Sequence, residues 1–229
     1  MFWFYDHWYI IFVVPPLILA MWASFNVNST YKKYSKFMTR SNMTGYDSAR
    51  RILDANGLYN VAIERVSGNL TDHFDPQKNV IRLSQDVYSG TSVASVGVAA
   101  HEAGHAVQYA NGYLPMKIRG AILPAANIGS SAGFYLAILG IILSFDILMY
   151  IGIGLFLAVV LFQLVTLPVE FNASSRAIAS LENGALSPDE LDGSKKVLRA
   201  AALTYVAALL VAIGNLLRLL ALAGSRRRD

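Results

Sequence analysis

The chain contains no cysteine. Thiolate zinc sites, cysteine nucleophiles and disulfide staples are therefore excluded, which leaves histidine and carboxylate as the strong metal ligands. Charge is also scarce: Asp, Glu, Lys and Arg make up 15% of the 229 residues, against 55% hydrophobic ones. A soluble domain of this size ordinarily carries about a quarter charged residues, so the deficit points to lipid contact. The net charge of +4 comes from basic residues set beside apolar runs rather than in one basic-aromatic patch. That arrangement fits anionic lipid headgroups and argues against a nucleic-acid partner. Neither an internal repeat nor a low-complexity tract occurs.

What the chain has in quantity is apolar sequence. Residues 1–25 read as an N-terminal membrane anchor: the run Trp8 to Phe25 is long enough to cross a bilayer, with Trp3, Tyr5, Trp8 and Tyr9 as an interfacial belt at its outer end. Pro15-Pro16 should kink it. A leading segment without Lys or Arg, and no small-residue cleavage site, favour a retained anchor over a secretory signal. Residues 26–120 are soluble in character. Thr44-x-x-Asp47 starts a helix that Gly57 ends, Val61 to Val66 and Val80 to Leu83 read as short strands of a β-hairpin, and Ser92 caps a helix running to about Asn111. Residues 121–169 hold the apolar stretches Ala121 to Phe145 and Ile147 to Val169, a membrane hairpin with Asp146 at its tip, although Pro124 and Asn127 interrupt its start. In residues 170–199, Ser187-Pro188-Asp189-Glu190 is a capping box, and the helix it opens continues through residues 200–229 as a further candidate span ending in a basic tail. The expected fold is mainly α: integral membrane helices plus a soluble helical segment with a short hairpin of strands.

Of the 19 Lys and Arg residues, all but Arg218, Arg226, Arg227 and Arg228 fall between Lys32 and Arg199. The positive-inside rule then puts the soluble segments in the cytoplasm of a multi-pass membrane protein. The tail Arg226-Arg227-Arg228 disagrees if the last helix crosses. Either that helix is buried without crossing, or the short tail is tolerated.

The chemistry concentrates in His101-Glu102-Ala103-Gly104-His105, an HExxH pattern. Residues four apart share one helix face, so the two imidazoles can grip one ion while Glu102 projects to its side. Zinc held by three protein ligands keeps a fourth position for water, whose proton Glu102 can take and later return to a leaving amine. The flanks Val98, Ala99, Ala100, Ala106 and Val107 are uncharged, as a buried helix requires. Two imidazoles and a carboxylate placed by chance on so apolar a helix would be costly to bury.

A third ligand must come from elsewhere. His7 lies at the far end of the first span. Glu170 is the best carboxylate, because two crossings of the hairpin return the chain to the side of the motif helix. Its plainer alternative is an interfacial carboxylate. Ser174 and Arg176 follow on the same helix. His73, flanked by Asp72 and Asp75, has two readings, a loop near the metal that stabilises an oxyanion or substitutes as a ligand, or the polar tip of a turn shaped by Asp75-Pro76 and Asn79; the turn is favoured. Strand Val80 to Leu83 precedes the motif helix, where an edge strand aligns an extended peptide in many zincins. Arg176, Tyr109 and Tyr113 are candidate oxyanion donors, each with the alternative of a solvated or interfacial side chain.

These residues resemble the YugP-like neutral zinc metallopeptidases, a family of small bacterial membrane proteins. The resemblance runs nearly the whole length, through Leu70-Thr71-Asp72-His73-Phe74-Asp75-Pro76, Val98-Ala99-Ala100-His101-Glu102, Leu167-Pro168-Val169-Glu170-Phe171-Asn172-Ala173 and the stretch Lys195 to Ala208. More distantly, the HExxH helix followed by Glu-x-x-Ala after a membrane hairpin is similar to the HtpX-type and CAAX-prenyl peptidases. Those use a glutamate as third zinc ligand, which implies that role for Glu170. They carry Asp four residues later, supporting a zinc histidine, where this chain has Ser174, a weaker acceptor.

The expectation is a zinc-dependent endopeptidase, with one zinc per chain, acting on membrane or membrane-proximal proteins. A non-catalytic scaffold stapled by zinc is the alternative, and a fourth protein ligand would favour it. A small transporter subunit would need intramembrane charges facing a path, whereas Asp146 sits at a loop tip and Arg218 stands alone in the sequence.

Overall fold

Proline and short polar turns decide where the helices stop. The computed structural model describes residues 6–183 and 185–225. Trp3 and Tyr5 of the expected aromatic belt, and the Arg226-Arg227-Arg228 tail, lie outside the described residues. In chain order the elements are α1 (His7–Phe12), α2 (Val14–Tyr34), α3 (Gly45–Ala55), β1 (Ala62–Val66), β2 (His73–Asp75), β3 (Val80–Ser84), α4 (Gln85–Tyr88), α5 (Val93–Ala110), α6 (Leu114–Ile128), a π-turn (Gly129–Gly133), α7 (Phe134–Ile142), α8 (Asp146–Glu182) and α9 (Pro188–Ser225). The fold is mainly α with a small sheet, as expected. Four helical stretches are long and apolar enough to cross a membrane: His7–Tyr34, Leu114–Ile142, Asp146–Glu182 and Pro188–Ser225. The chain divides into two compact units, one of Met1–Ser24, Lys117–Leu167 and Leu203–Asp229, the other of Phe25–Met116 and Pro168–Ala202.

The first unit is a bundle of apolar helix. Pro15 and Pro16 offer no N–H to the carbonyls of Ile11 and Phe12, so the helix breaks at Val13, between α1 and α2, rather than bending at the prolines themselves. The Phe12 carbonyl at this break faces α9, where any side chain on Gly214 would collide with it. Pro124 is accommodated inside α6. The disturbance appears a few residues later as the π-turn, beside which Ser130 and Ser131 donate their hydroxyls to Asn127 O. The hairpin tip is Leu143 to Phe145, with Ser144 at φ 57° and Asp146 opening α8. Trp8, Ile141, Met149 and Leu222 pack together, so the start of α1, the α7–α8 turn and the far end of α9 share one end of the bundle. Arg218 does not stand alone. It is 2% exposed and pairs with Asp6, Nη2 to Oδ2 at 2.9 Å and Nε to Oδ2 at 3.1 Å, beneath the rings of Tyr9 and Phe134. Asp6 also caps α1 through Tyr9 N.

The second unit has a soluble-protein core. Thr44 and Asp47 form the expected capping box on α3, and Gly57 follows its end at φ 71°. Ser92 caps α5, which ends at Asn111. Small residues along α5, Ala99, Ala100, Ala103 and Ala106, let it settle against Ile52 and Leu53 of α3, Ile81 and Leu83 of β3, and Ala177 and Leu181 of α8. The strand order is β1-β3-β2. The two expected strands form, but they lie parallel, Ala62 opposite Val80. The hairpin is instead β2 with β3, antiparallel, His73 opposite Arg82. With β3 in the middle of the sheet, Val80 to Leu83 is not the edge strand anticipated from the sequence; β2 holds that edge.

Candidate metal centre

The motif helix α5 is buried on most sides, and its packing brings the expected ligands together. His101 Nε2 lies 3.1 Å from His105 Nε2 and 3.2 Å from Glu170 Oε2, and His105 Nε2 lies 3.5 Å from that same oxygen. These three residues form the one group of metal-ligand type found among the described residues. Zinc bonds of about 2.0–2.1 Å at tetrahedral angles place neighbouring donor atoms about 3.3 Å apart. The observed separations bracket that value, so the donor set fits zinc.

Glu170 reaches the motif because α8 comes very close to α5. A side-chain carbon on Gly104 would stand 2.6 Å from Ala173 O, so only glycine permits this approach. Both histidines turn their Nδ1 atoms away from the cluster. His101 Nδ1 meets Ser174 Oγ at 3.1 Å, and His105 Nδ1 meets Gln108 Oε1 at 3.0 Å. With Nδ1 as the donor in each, the two Nε2 atoms present bare lone pairs beside a carboxylate oxygen.

Glu102 is 8% exposed, next to this cluster in sequence, and no hydrogen bond to a described residue ties its carboxylate down. Burial pushes His105 toward its neutral form, but the Glu170 carboxylate it touches and the charge of Glu102 outweigh burial and hold its pKa above the usual value. Asp72, from the Leu70 to Pro76 motif, also feels Glu102. Burial raises its carboxyl above the ordinary range, against hydrogen bonds from Ser84 N at 2.7 Å and Ser84 Oγ at 3.1 Å, and the charge of Glu102 adds to the rise.

The remaining candidates fall outside the cluster. His73 is exposed on β2, opposite Arg82 of β3 and away from the cluster, its Nδ1 2.8 Å from Thr71 O. Tyr109 is half-exposed with its ring against Phe74 of β2. Tyr113 directs its hydroxyl to Pro168 O at 3.4 Å. Arg176 donates from Nε to Asn172 Oδ1 at 2.8 Å. Sequence reasoning passed over Gln108, which is fully buried, and Asn172, although a lone polar residue three positions after His105 on an apolar helix was a signal in plain view.

No solved structure matches the chain. The "Putative membrane protease YugP" of Bacillus subtilis (strain 168) is 48% identical over 211 residues, which span 92% of this chain and 94% of that protein. A family model described as "Putative neutral zinc metallopeptidase" matches residues 9–224. The chain belongs to that zinc metallopeptidase family.

Proposed function

We propose that this chain is an endopeptidase that binds one zinc ion on His101, His105 and Glu170 and hydrolyses peptide bonds of membrane or membrane-proximal proteins, with Glu102 as the general base. The observation that carries this reading is the triangle of His101 Nε2, His105 Nε2 and Glu170 Oε2, with sides of 3.1, 3.2 and 3.5 Å. Zinc held by these residues would supply a Lewis acid for activating water near neutral pH. Glu102 takes the proton of the attacking water and passes it to the leaving amine nitrogen. Its carboxylate is suited to both transfers because no hydrogen bond to a described residue occupies it. Three candidate protein ligands rather than four among the described residues favour catalysis over a zinc-stapled scaffold.

An extended substrate would align on the free edge of β2, the sheet edge whose Phe74 packs against α5 at Tyr109. The distribution of Lys and Arg supports a cytoplasmic position for residues 25–116 and 168–202. The deciding experiment is Glu102→Gln in the full chain, in detergent or vesicles, with metal analysis alongside. Peptide hydrolysis is expected to fall by about 10²-fold or more while zinc stays bound. Zinc-loaded wild-type protein that leaves a broad panel of membrane proteins and peptides intact would refute the proposal.

A further inference from the structure

Gln108 has every polar group committed, and its partners lie on two elements. Its Oε1 faces His105 Nδ1 at 3.0 Å. Its Nε2 donates to Val169 O at 2.7 Å and to Asn172 Oδ1 at 3.0 Å. The orientation of the amide is forced, because a backbone carbonyl only accepts, so the nitrogen must face Val169. Arg176 Nε donates to the same Asn172 oxygen, which fixes that amide as well. Val169 and Asn172 flank Glu170, one residue before it and two after. The network therefore grips α8 on both sides of the third ligand, at the level where Gly104 admits the Ala173 carbonyl.

We infer that Gln108 is a positioning residue that clamps the ligand-bearing stretch of α8 to the motif helix, so that Glu170 joins the metal site only while this amide is in place. The inference rests on the zinc reading above and goes beyond it. A side chain that merely oriented His105 would need only an acceptor, and a carboxylate serves that purpose at least as well as an amide. The clamp needs two donors, which a carboxylate lacks.

Gln108→Glu separates the two roles. It keeps an acceptor for His105 Nδ1 and sets oxygen against Val169 O and Asn172 Oδ1. Zinc affinity is read by chelator competition, and ligation by the visible spectrum of the cobalt-substituted protein. Gln108→Glu is expected to bind zinc about 10-fold or more weakly and to give an altered cobalt spectrum. Asn172→Ala, which leaves the His105 partner in place, is expected to move both readouts in the same direction. Should Gln108→Glu fail to fold, as judged by helical circular dichroism, Asn172→Ala carries the decision. Folded variants that bind zinc as tightly as wild type, with an unchanged cobalt spectrum, would overturn the clamp and leave the zinc site standing. A folded wild type that takes up no zinc would remove the underlying reading instead.

Discussion

The hydroxyl of Ser174 lies 3.1 Å from His101 Nδ1, a position from which a carboxylate would support a metal-binding histidine more strongly. A neutral oxygen polarises the imidazole less than a carboxylate, so His101 is a weaker donor to metal than it could be. Ser174→Asp should tighten zinc binding, and Ser174→Ala should loosen it by about 10-fold, both measured by chelator competition. Unchanged affinity in both would show that the hydroxyl contributes nothing. At this scale the sequence was informative where one helix sufficed. His101, Glu102 and His105 were legible because helical spacing alone puts residues four apart on one face. Glu170 required a topological argument and a family resemblance, and the structure brings it to the same point. Gln108 escaped because its role depends on a carbonyl of another helix, at Val169, which no spacing along α5 reveals.

Among elements, the contact of α5 with α8 governs the site. Gly104→Ala places a methyl carbon 2.6 Å from Ala173 O, and backbone must give way. Overpacking of this kind costs about 1–3 kcal/mol, and here the yielding part is the stretch that carries Glu170. The variant should melt a few degrees lower and bind zinc about 10-fold more weakly; a melting curve and an affinity both equal to wild type would show that the helices separate freely. Element types were readable from pattern: the capped starts of α3 and α5, the start of α9 at Pro188 and the two apolar strands all formed. Strand pairing was not. β2 has three residues, too short for an alternating signal, and its insertion beside β3 makes parallel neighbours of strands that sequence order suggested as a hairpin.

Across the whole molecule, the proposed orientation rests on four apolar stretches and on the spread of Lys and Arg outside them. The absence of cysteine makes this simple to test, since any introduced cysteine is the sole thiol in the chain. Cysteines placed at Lys78 and at Ser144 should label from opposite faces in sealed vesicles, with position 78 accessible from the cytoplasmic side. Labelling of position 78 from the outside only would reverse the proposed orientation. The bundle itself was legible as a set of lengths and hydropathies, whereas its internal pairing was hidden by distance along the chain. Arg218 looked solitary because its partner, Asp6, precedes it by 212 residues.

That separation has a consequence for biosynthesis. At roughly 5–20 residues per second, Asp6 leaves the ribosome about 10–40 s before Arg218 is made. Throughout that interval the acid at the head of α1 lacks its Arg218 partner. The latch between the first and last helices therefore closes at the end of translation, and a polypeptide released before residue 218 retains an unmatched acid that distinguishes it from the finished protein.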